Sequence, residues 1–97
     1  NKKYMFKKLV MKKGHQCSLQ FHKKKIETIF VLEGSLKIIF GKNIKFLKSK
    51  IFKRGQHITL IPGVVHRMKA ITRSVYLEAS TPEIKDVVRI EDDYKRV

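Results

Sequence analysis

Residues 14–34 read GHQCSLQFHKKKIETIFVLEG, a run that begins and ends with glycine and holds three candidate metal ligands. Gln20 and His22 are two positions apart in an alternating run, so in a strand both side chains face one side and their apolar neighbours the other. Glu27 follows at the start of an apolar run. Polar groups that converge inside a small barrel need partners, and a divalent cation is one such partner. The segment therefore predicts a metal site inside a small β-structure.

A second glycine-containing cluster, at residues 55–66, contributes another imidazole, His66. One amide oxygen, two imidazoles and one carboxylate suit zinc, iron, manganese or nickel better than calcium. Two alternatives that need no metal remain open. Gln20 and His22 would then form a structural polar pair, and Glu27 a salt bridge to one of the lysines.

The composition indicates one domain that spans residues 1–97. A chain of this length, 42% hydrophobic, supports one packed core but not two. No run approaches the roughly eighteen apolar residues of a membrane span, and the polar N-terminus does not resemble a signal peptide. The single cysteine, Cys17, excludes an internal disulfide and is consistent with a reducing compartment. We therefore expect a cytoplasmic protein with no membrane partner.

The charge is strongly basic, with a formal net charge of +15 at pH 7. Residues 1–77 carry 19 lysines and arginines against two acids, Glu27 and Glu33. Such a surface attracts anions. However, lysine greatly outnumbers arginine, the lysines are spread over the chain, and no known DNA- or RNA-binding motif is present. We expect a small anionic partner rather than nucleic acid, with most lysines simply solvated.

Short runs rich in β-branched and aromatic residues predict an all-β chain. Many short strands at roughly ten-residue intervals are typical of a sandwich or barrel. The one helical pattern is at residues 83–90, where Pro82 would open a short helical turn. The predicted strands are residues 7–11, 17–22, 26–32, 36–40, 44–47, 57–61 and 74–79.

The glycines and polar groups follow a spacing that resembles a known pair of motifs. Their order is Gly14-x5-Gln20-x-His22-x4-Glu27-x6-Gly34, then Gly55-x7-Gly63-x2-His66. The two sets are similar to the first and second motifs of the cupins, at residues 14–34 and 55–70, with Gln in place of the first His. The resemblance implies a single small cupin jelly-roll β-barrel with a C-terminal tail at 82–97. It also implies a divalent metal ion (Zn, Mn, Fe, Co or Ni) bound by Gln20, His22, Glu27 and His66.

Three segments are similar to one cupin branch, the type II phosphomannose isomerases. SLQFHKKKIE at 18–27 resembles its SLQ-x-H-x4-E segment, and IPGVVHR at 61–67 resembles IPxGxxHR. DVVRIEDDYKR at 86–96 resembles the closing D-[IV]-VR-x-EDDYGR. This likeness implies a metal-dependent sugar-phosphate isomerase that interconverts mannose 6-phosphate and fructose 6-phosphate.

That reaction needs a Lewis acid, a base that moves a proton between adjacent carbons, and a cationic group for the phosphate. Arg89 matches the arginine of the VR-x-ED segment, which implies substrate binding or stabilisation of the intermediate; the alternative is a salt bridge that fixes the tail. Arg67 and Lys25 are candidates for the phosphate. Glu78 and His57 lie on predicted strands from which they could face the cavity, with Glu78 as a candidate base.

Two other classes of function remain open. A noncatalytic or regulatory cupin would bind a sugar phosphate or nucleotide sugar without turnover. A metal-dependent dioxygenase would favour His at position 20, because the amide oxygen of Gln20 is a weak, neutral ligand for redox iron.

Edge strands near the N-terminus predict a homodimer. A bare strand edge invites pairing with another chain. Dimerisation through these strands would cover the apolar positions Met5, Phe6, Leu9 and Met11.

Overall fold

The computed structural model describes residues 5–82 and 86–91, and this part of the chain contains nine strands and no helix. The strands form two antiparallel sheets, in the orders β1-β8-β3-β6 and β5-β4-β7-β2-β9. Apart from the β4–β5 hairpin, consecutive strands alternate between the sheets, so the chain is a jelly-roll barrel as expected. The strands are β1 (Met5–Met11), β2 (Leu19–His22), β3 (Glu27–Glu33), β4 (Ser35–Gly41), β5 (Lys48–Lys53), β6 (His57–Leu60), β7 (Val65–Ala70), β8 (Ser74–Ser80) and β9 (Val87–Glu91).

The space between the sheets is polar at one end and apolar at the other. On β3 the inward positions are Glu27, then Ile29 and Val31, both fully buried. On β7 the buried alternate positions begin with His66 and continue with Met68 and Ala70. The apolar end also holds buried side chains of β4, β5, β6 and β8. Packing at that end fixes the strands that carry the polar side chains at the other.

The prediction of a strand at residues 44–47 is wrong. These residues form a turn that Asn43 stabilises with two hydrogen bonds. Its side-chain oxygen accepts one from the N–H of Lys45 (2.9 Å), and its backbone carbonyl oxygen accepts one from the N–H of Phe46 (3.2 Å). The strand is instead β5, a lysine-rich edge strand on which only Phe52 is buried. Lysine at exposed edge positions is compatible with a strand, although it weakens the sequence signal.

Two further elements differ from the expectation. Residues 87–90 of the predicted helical segment lie in β9, which pairs with β2; residues 83–85 lie outside the described part of the chain. β7 was not expected as a strand, yet it carries His66 between β4 and β2. No helix in the described ranges is long and apolar enough to cross a membrane.

Candidate metal centre

Three buried side chains converge at the polar end of the barrel. His22 ends β2, Glu27 begins β3, and His66 is the second residue of β7. Oε1 of Glu27 lies 3.4 Å from Nε2 of His22 and 3.1 Å from Nε2 of His66. The candidate ligand atoms of the three residues all lie within 4.8 Å of one another. The structure thus brings together three of the four ligands expected from the sequence.

The hydrogen-bonding state of the two imidazoles fits a metal. Nδ1 of His66 lies 3.1 Å from the carbonyl oxygen of Val64, to which a protonated Nδ1 donates, and this leaves a lone pair on Nε2. Nε2 of His66 and both ring nitrogens of His22 are buried, and apart from the approach of the two Nε2 atoms to Oε1 of Glu27 they have no partner among the described residues. Buried nitrogens without partners are costly, and a cation between two imidazoles and a carboxylate would satisfy the two Nε2 atoms.

The carboxyl group of Glu27 is held in its charged form. Burial by itself would raise the pKa of Glu27, but the neighbouring imidazoles of His22 and His66 outweigh it and hold this pKa well below its usual range. A metal ligand must be deprotonated, so the side chain is prepared to bind a cation.

Gln20, the fourth expected ligand, lies on β2 and lines the same cavity. Its Oε1 accepts a hydrogen bond from the hydroxyl of the buried Ser18 (2.8 Å). A carbonyl oxygen has two lone pairs, so this bond orients the amide and leaves one pair for another partner. Metal binding by Gln20 stays a prediction.

His22 and Glu27 line a cavity of about 310 Å³ between the two sheets, whereas His66 is almost completely buried and is not among the lining side chains. Glu78 on β8 faces the cavity, and burial followed by the negative charge of Glu27 raises the pKa of Glu78, while Lys7 and Lys25 oppose the rise. Arg89 of β9 lines the cavity from the other sheet, where it is the backbone partner of Gln20.

The loop between β2 and β3 is fastened by Asp86. Oδ2 of Asp86 accepts hydrogen bonds from the backbone N–H groups of Lys24 (2.7 Å) and Lys25 (2.6 Å). The backbone carbonyl oxygen of Asp86 accepts a third from the N–H group of Lys23 (3.3 Å). This loop joins His22 to Glu27, so the contact with the segment before β9 helps to fix the spacing of two candidate ligands.

Two residues expected at the site lie elsewhere. His57 is exposed and stacks on Phe30, with ring centroids 6.4 Å apart; on β6 the inward neighbour is Ile58, so the expectation that His57 faces the cavity is wrong. Arg67 alternates with the buried His66 and Met68 and is not among the cavity-lining side chains; its Nε donates to the carbonyl oxygen of Cys17 (2.9 Å). Neither residue is positioned to hold a ligand of the metal cluster.

Other cavity residues were missed at the sequence level. Lys7 alternates with Leu9 on β1, and both line the cavity. The period-two pattern contained this signal, but Lys7 was hidden among many lysines. Tyr76 of β8 also lines the cavity, and burial raises the pKa of its hydroxyl group. In the sequence Tyr76 lies in an apolar strand pattern and cannot be distinguished from an ordinary core residue.

The fold has many structural relatives, although no family model and no curated protein matches the sequence. The capsular polysaccharide assembling protein CapF from Staphylococcus aureus superposes with a TM-score of 0.79 at 16% identity, over 92% of this chain and 29% of the CapF chain. KdgF from Halomonas sp. gives 0.76 at 12% identity, over 86% and 73% of the two chains. Oxalate oxidase in complex with the substrate analogue glycolate gives 0.77 at 14% identity, over 90% and 46%.

This chain therefore corresponds to a part of several longer proteins and spans less than a third of CapF. At such identities the likeness establishes architecture alone. Together with the two sheets and the placement of the glycine-bounded motifs, it shows that the chain has the cupin jelly-roll fold.

Proposed function

We propose that this chain is a metal-dependent sugar-phosphate isomerase that interconverts mannose 6-phosphate and fructose 6-phosphate. The observation that supports this most directly is the buried cluster of His22, Glu27 and His66, with unpartnered imidazole nitrogens beside an open cavity. The similarity of residues 18–27 and 86–96 to the phosphomannose isomerases supplies the substrate class.

His22, Glu27 and His66, with Gln20 as the fourth ligand, would hold a divalent ion. When bound, such an ion supplies Lewis-acid polarisation of a carbonyl and its neighbouring hydroxyl. Three strong protein donors and one weak, neutral one are consistent with a site that keeps a position open for substrate.

The isomerisation moves a proton from C2 of mannose 6-phosphate to C1, and the hydroxyl proton from O2 to O1, so substrate and product have the same formula. Glu78 is the group we propose as base, because its carboxyl lines the cavity beside Glu27. Arg89, on the opposite wall, carries a permanent positive charge that would stabilise negative charge as it develops on the sugar oxygens.

The test is a paired measurement on the purified chain: elemental analysis for bound metal, and a coupled assay of fructose 6-phosphate formed from mannose 6-phosphate. We expect near-stoichiometric metal in the wild-type chain. Turnover should fall by at least about a hundredfold in His66→Ala and Gln20→Ala, because mutation of residues that only hydrogen-bond to a metal ligand already costs about ten- to a hundredfold in metal affinity or activity. His57→Ala, outside the cavity, is the matched control and should keep full activity.

Metal without turnover on either sugar phosphate would contradict the isomerase and favour a binding or regulatory protein with the same site. Absence of metal after reconstitution with each candidate ion would contradict the isomerase and favour a noncatalytic protein that binds its ligand without a metal.

A further inference from the structure

Lys25 is a nearly buried lysine whose charge acts electrostatically on Glu78 in the wall of the same cavity. Its side chain is only 9% exposed and lines the metal-centre cavity. Its backbone N–H is bound by Asp86, which fixes the main chain at this point. Within the described ranges, however, its ammonium group makes no hydrogen bond or ion pair. Lysine is rarely this buried unless paired, so an anionic group of a ligand in the cavity would be a favourable partner for it.

Lys7, on β1, lines the same cavity as Lys25. It is the backbone partner of Glu78 in the β1–β8 pair, and both side chains line the cavity. With Arg89 on the other sheet, three cationic side chains and two carboxyl groups, Glu27 and Glu78, line one cavity. Because Glu27 belongs to the metal cluster, a bound divalent ion would increase the excess of positive charge.

We propose that Lys7 and Lys25 form an oxyanion subsite beside the metal centre, which binds the phosphate or carboxylate end of the ligand. The inference rests on the proposed function for the choice of a sugar phosphate, but the subsite itself follows from the two lysines. It replaces Arg67, which lies outside the cavity, as the phosphate-binding group. A ligand that spans this cavity would place its reactive oxygens at His22, Glu27 and His66 and its anionic end at the lysines.

The test is calorimetric titration with inorganic phosphate and with acetate in 0.15 M salt, on the protein as purified and after removal of metal by a chelator. The matched pairs are Lys25→Gln with its exposed neighbour Lys24→Gln, and Lys7→Gln with Lys8→Gln; Lys7 and Lys8 are both exposed on β1, but only Lys7 lines the cavity. Lys25→Arg keeps the charge. Circular dichroism checks that each variant folds.

We expect Lys25→Gln and Lys7→Gln each to weaken phosphate binding by roughly tenfold or more, with and without metal, since each removes a charge-assisted hydrogen bond. Lys24→Gln and Lys8→Gln should change it less than about twofold, because neither side chain lines the cavity and charges on the outer surface are screened. Lys25→Arg should retain binding. Tighter phosphate than acetate binding identifies a phosphate subsite, and the reverse identifies a carboxylate subsite.

Equal losses in the cavity variants and their controls would overturn the proposal, since phosphate would then be attracted by general surface charge. Unchanged binding in Lys25→Gln and Lys7→Gln would overturn it as well. The two proposals fail separately. A chain that binds phosphate through these lysines without isomerase activity contradicts only the proposed function. An isomerase whose KM for mannose 6-phosphate is the same in both variants contradicts only the subsite.

Discussion

Gly34 is the residue at which the chain passes from one sheet to the other, between β3 and β4. Its φ of 85° lies in the left-handed region, and a Cβ there would be 2.2 Å from the carbonyl oxygen of Arg73 and 2.9 Å from Cα of Ser74. Gly55 has almost the same φ, 86°, but a Cβ there would meet nothing within 4 Å. A substitution at Gly55 therefore tests the effect of backbone strain alone, whereas one at Gly34 tests backbone strain together with a steric clash.

Gly34→Ala should lower the free energy of unfolding by about 2–4 kcal/mol, because strain adds to a clash with backbone that has little freedom to move. Gly55→Ala should cost only about 1 kcal/mol, from φ alone. Urea denaturation of both variants measures the difference. Equal losses of unfolding free energy in the two variants would contradict the prediction. They would mean that the backbone of residues 73–74 moves to accommodate the added methyl group.

At this scale the sequence predicted much of the polar end of the barrel. The resemblance to the two glycine-bounded motifs implied that His22, Glu27 and His66 meet, and the structure brings them together. Period two on short strands places Gln20 beside His22, but it could not place His66, because β7 was not expected as a strand. Lys25 was a phosphate candidate only through the resemblance, and Lys7 could not be distinguished from the other lysines, since exposure depends on which strands become neighbours.

At the scale of elements, β9 extends the second sheet beyond β2 and brings Asp86 against the loop of residues 23–25. Desolvation would raise the pKa of Asp86, but the N–H groups of Lys24 and Lys25 outweigh it and lower this pKa. A carboxylate with a lowered pKa stabilises the fold above its unfolded-state pKa, and this stabilisation is lost as pH falls through the folded value. The contact is therefore fully formed at neutral pH.

Asp86→Ala should release this loop while leaving the apolar core intact. The amide hydrogens of Lys24 and Lys25 should exchange faster, and metal should bind more weakly because His22 and Glu27 flank the loop. Hydrogen exchange and metal titration at neutral pH measure both effects. Asp86→Asn, which keeps an acceptor oxygen, should be intermediate. Unchanged exchange at the two lysines would show that the loop is held by other contacts.

The elements that sequence patterns missed share a physical reason. β5 is an exposed edge strand rich in lysine. In β7 the charged residues Arg67 and Lys69 alternate with the buried positions 66, 68 and 70 and conceal them. Both strands are stabilised by tertiary pairing with β4 rather than by local preference. Strands with a clear apolar run, such as β3, were predicted within one residue at each end.

At the scale of the whole molecule, the outer face of the β1-β8-β3-β6 sheet is unusually apolar for so basic a chain. Phe6 is 69% exposed, and with Phe30, Leu77 and Ala79 it borders an outer hollow of about 270 Å³. Such a surface, next to the bare edge of β1, supports the homodimer expected from the sequence, which stays a prediction. Leu9 and Met11, which were expected in its interface, instead pack against the core.

Phe6→Lys should weaken this dimer by at least about thirtyfold, as expected for a central apolar contact. Phe46→Lys is the control, because Phe46 is equally exposed (70%) but lies in the turn between β4 and β5. Sedimentation at several protein concentrations measures both. Since each copy carries a net charge of +15, added salt should strengthen the dimer. A wild-type monomer at high protein and salt concentration would contradict the prediction.

The pairing of strands also determines when the candidate metal site can exist. His22 and His66 belong to one sheet and Glu27 to the other, while β1 and β9, near opposite ends of the described chain, supply Lys7 and Arg89 to the walls. A growing polypeptide would therefore have no complete ligand cluster until β7 has docked between β4 and β2, and no complete cavity wall until β9 has docked beside β2. The ion would enter a nearly finished barrel, and its identity would depend on which metals are available in the cell at that stage.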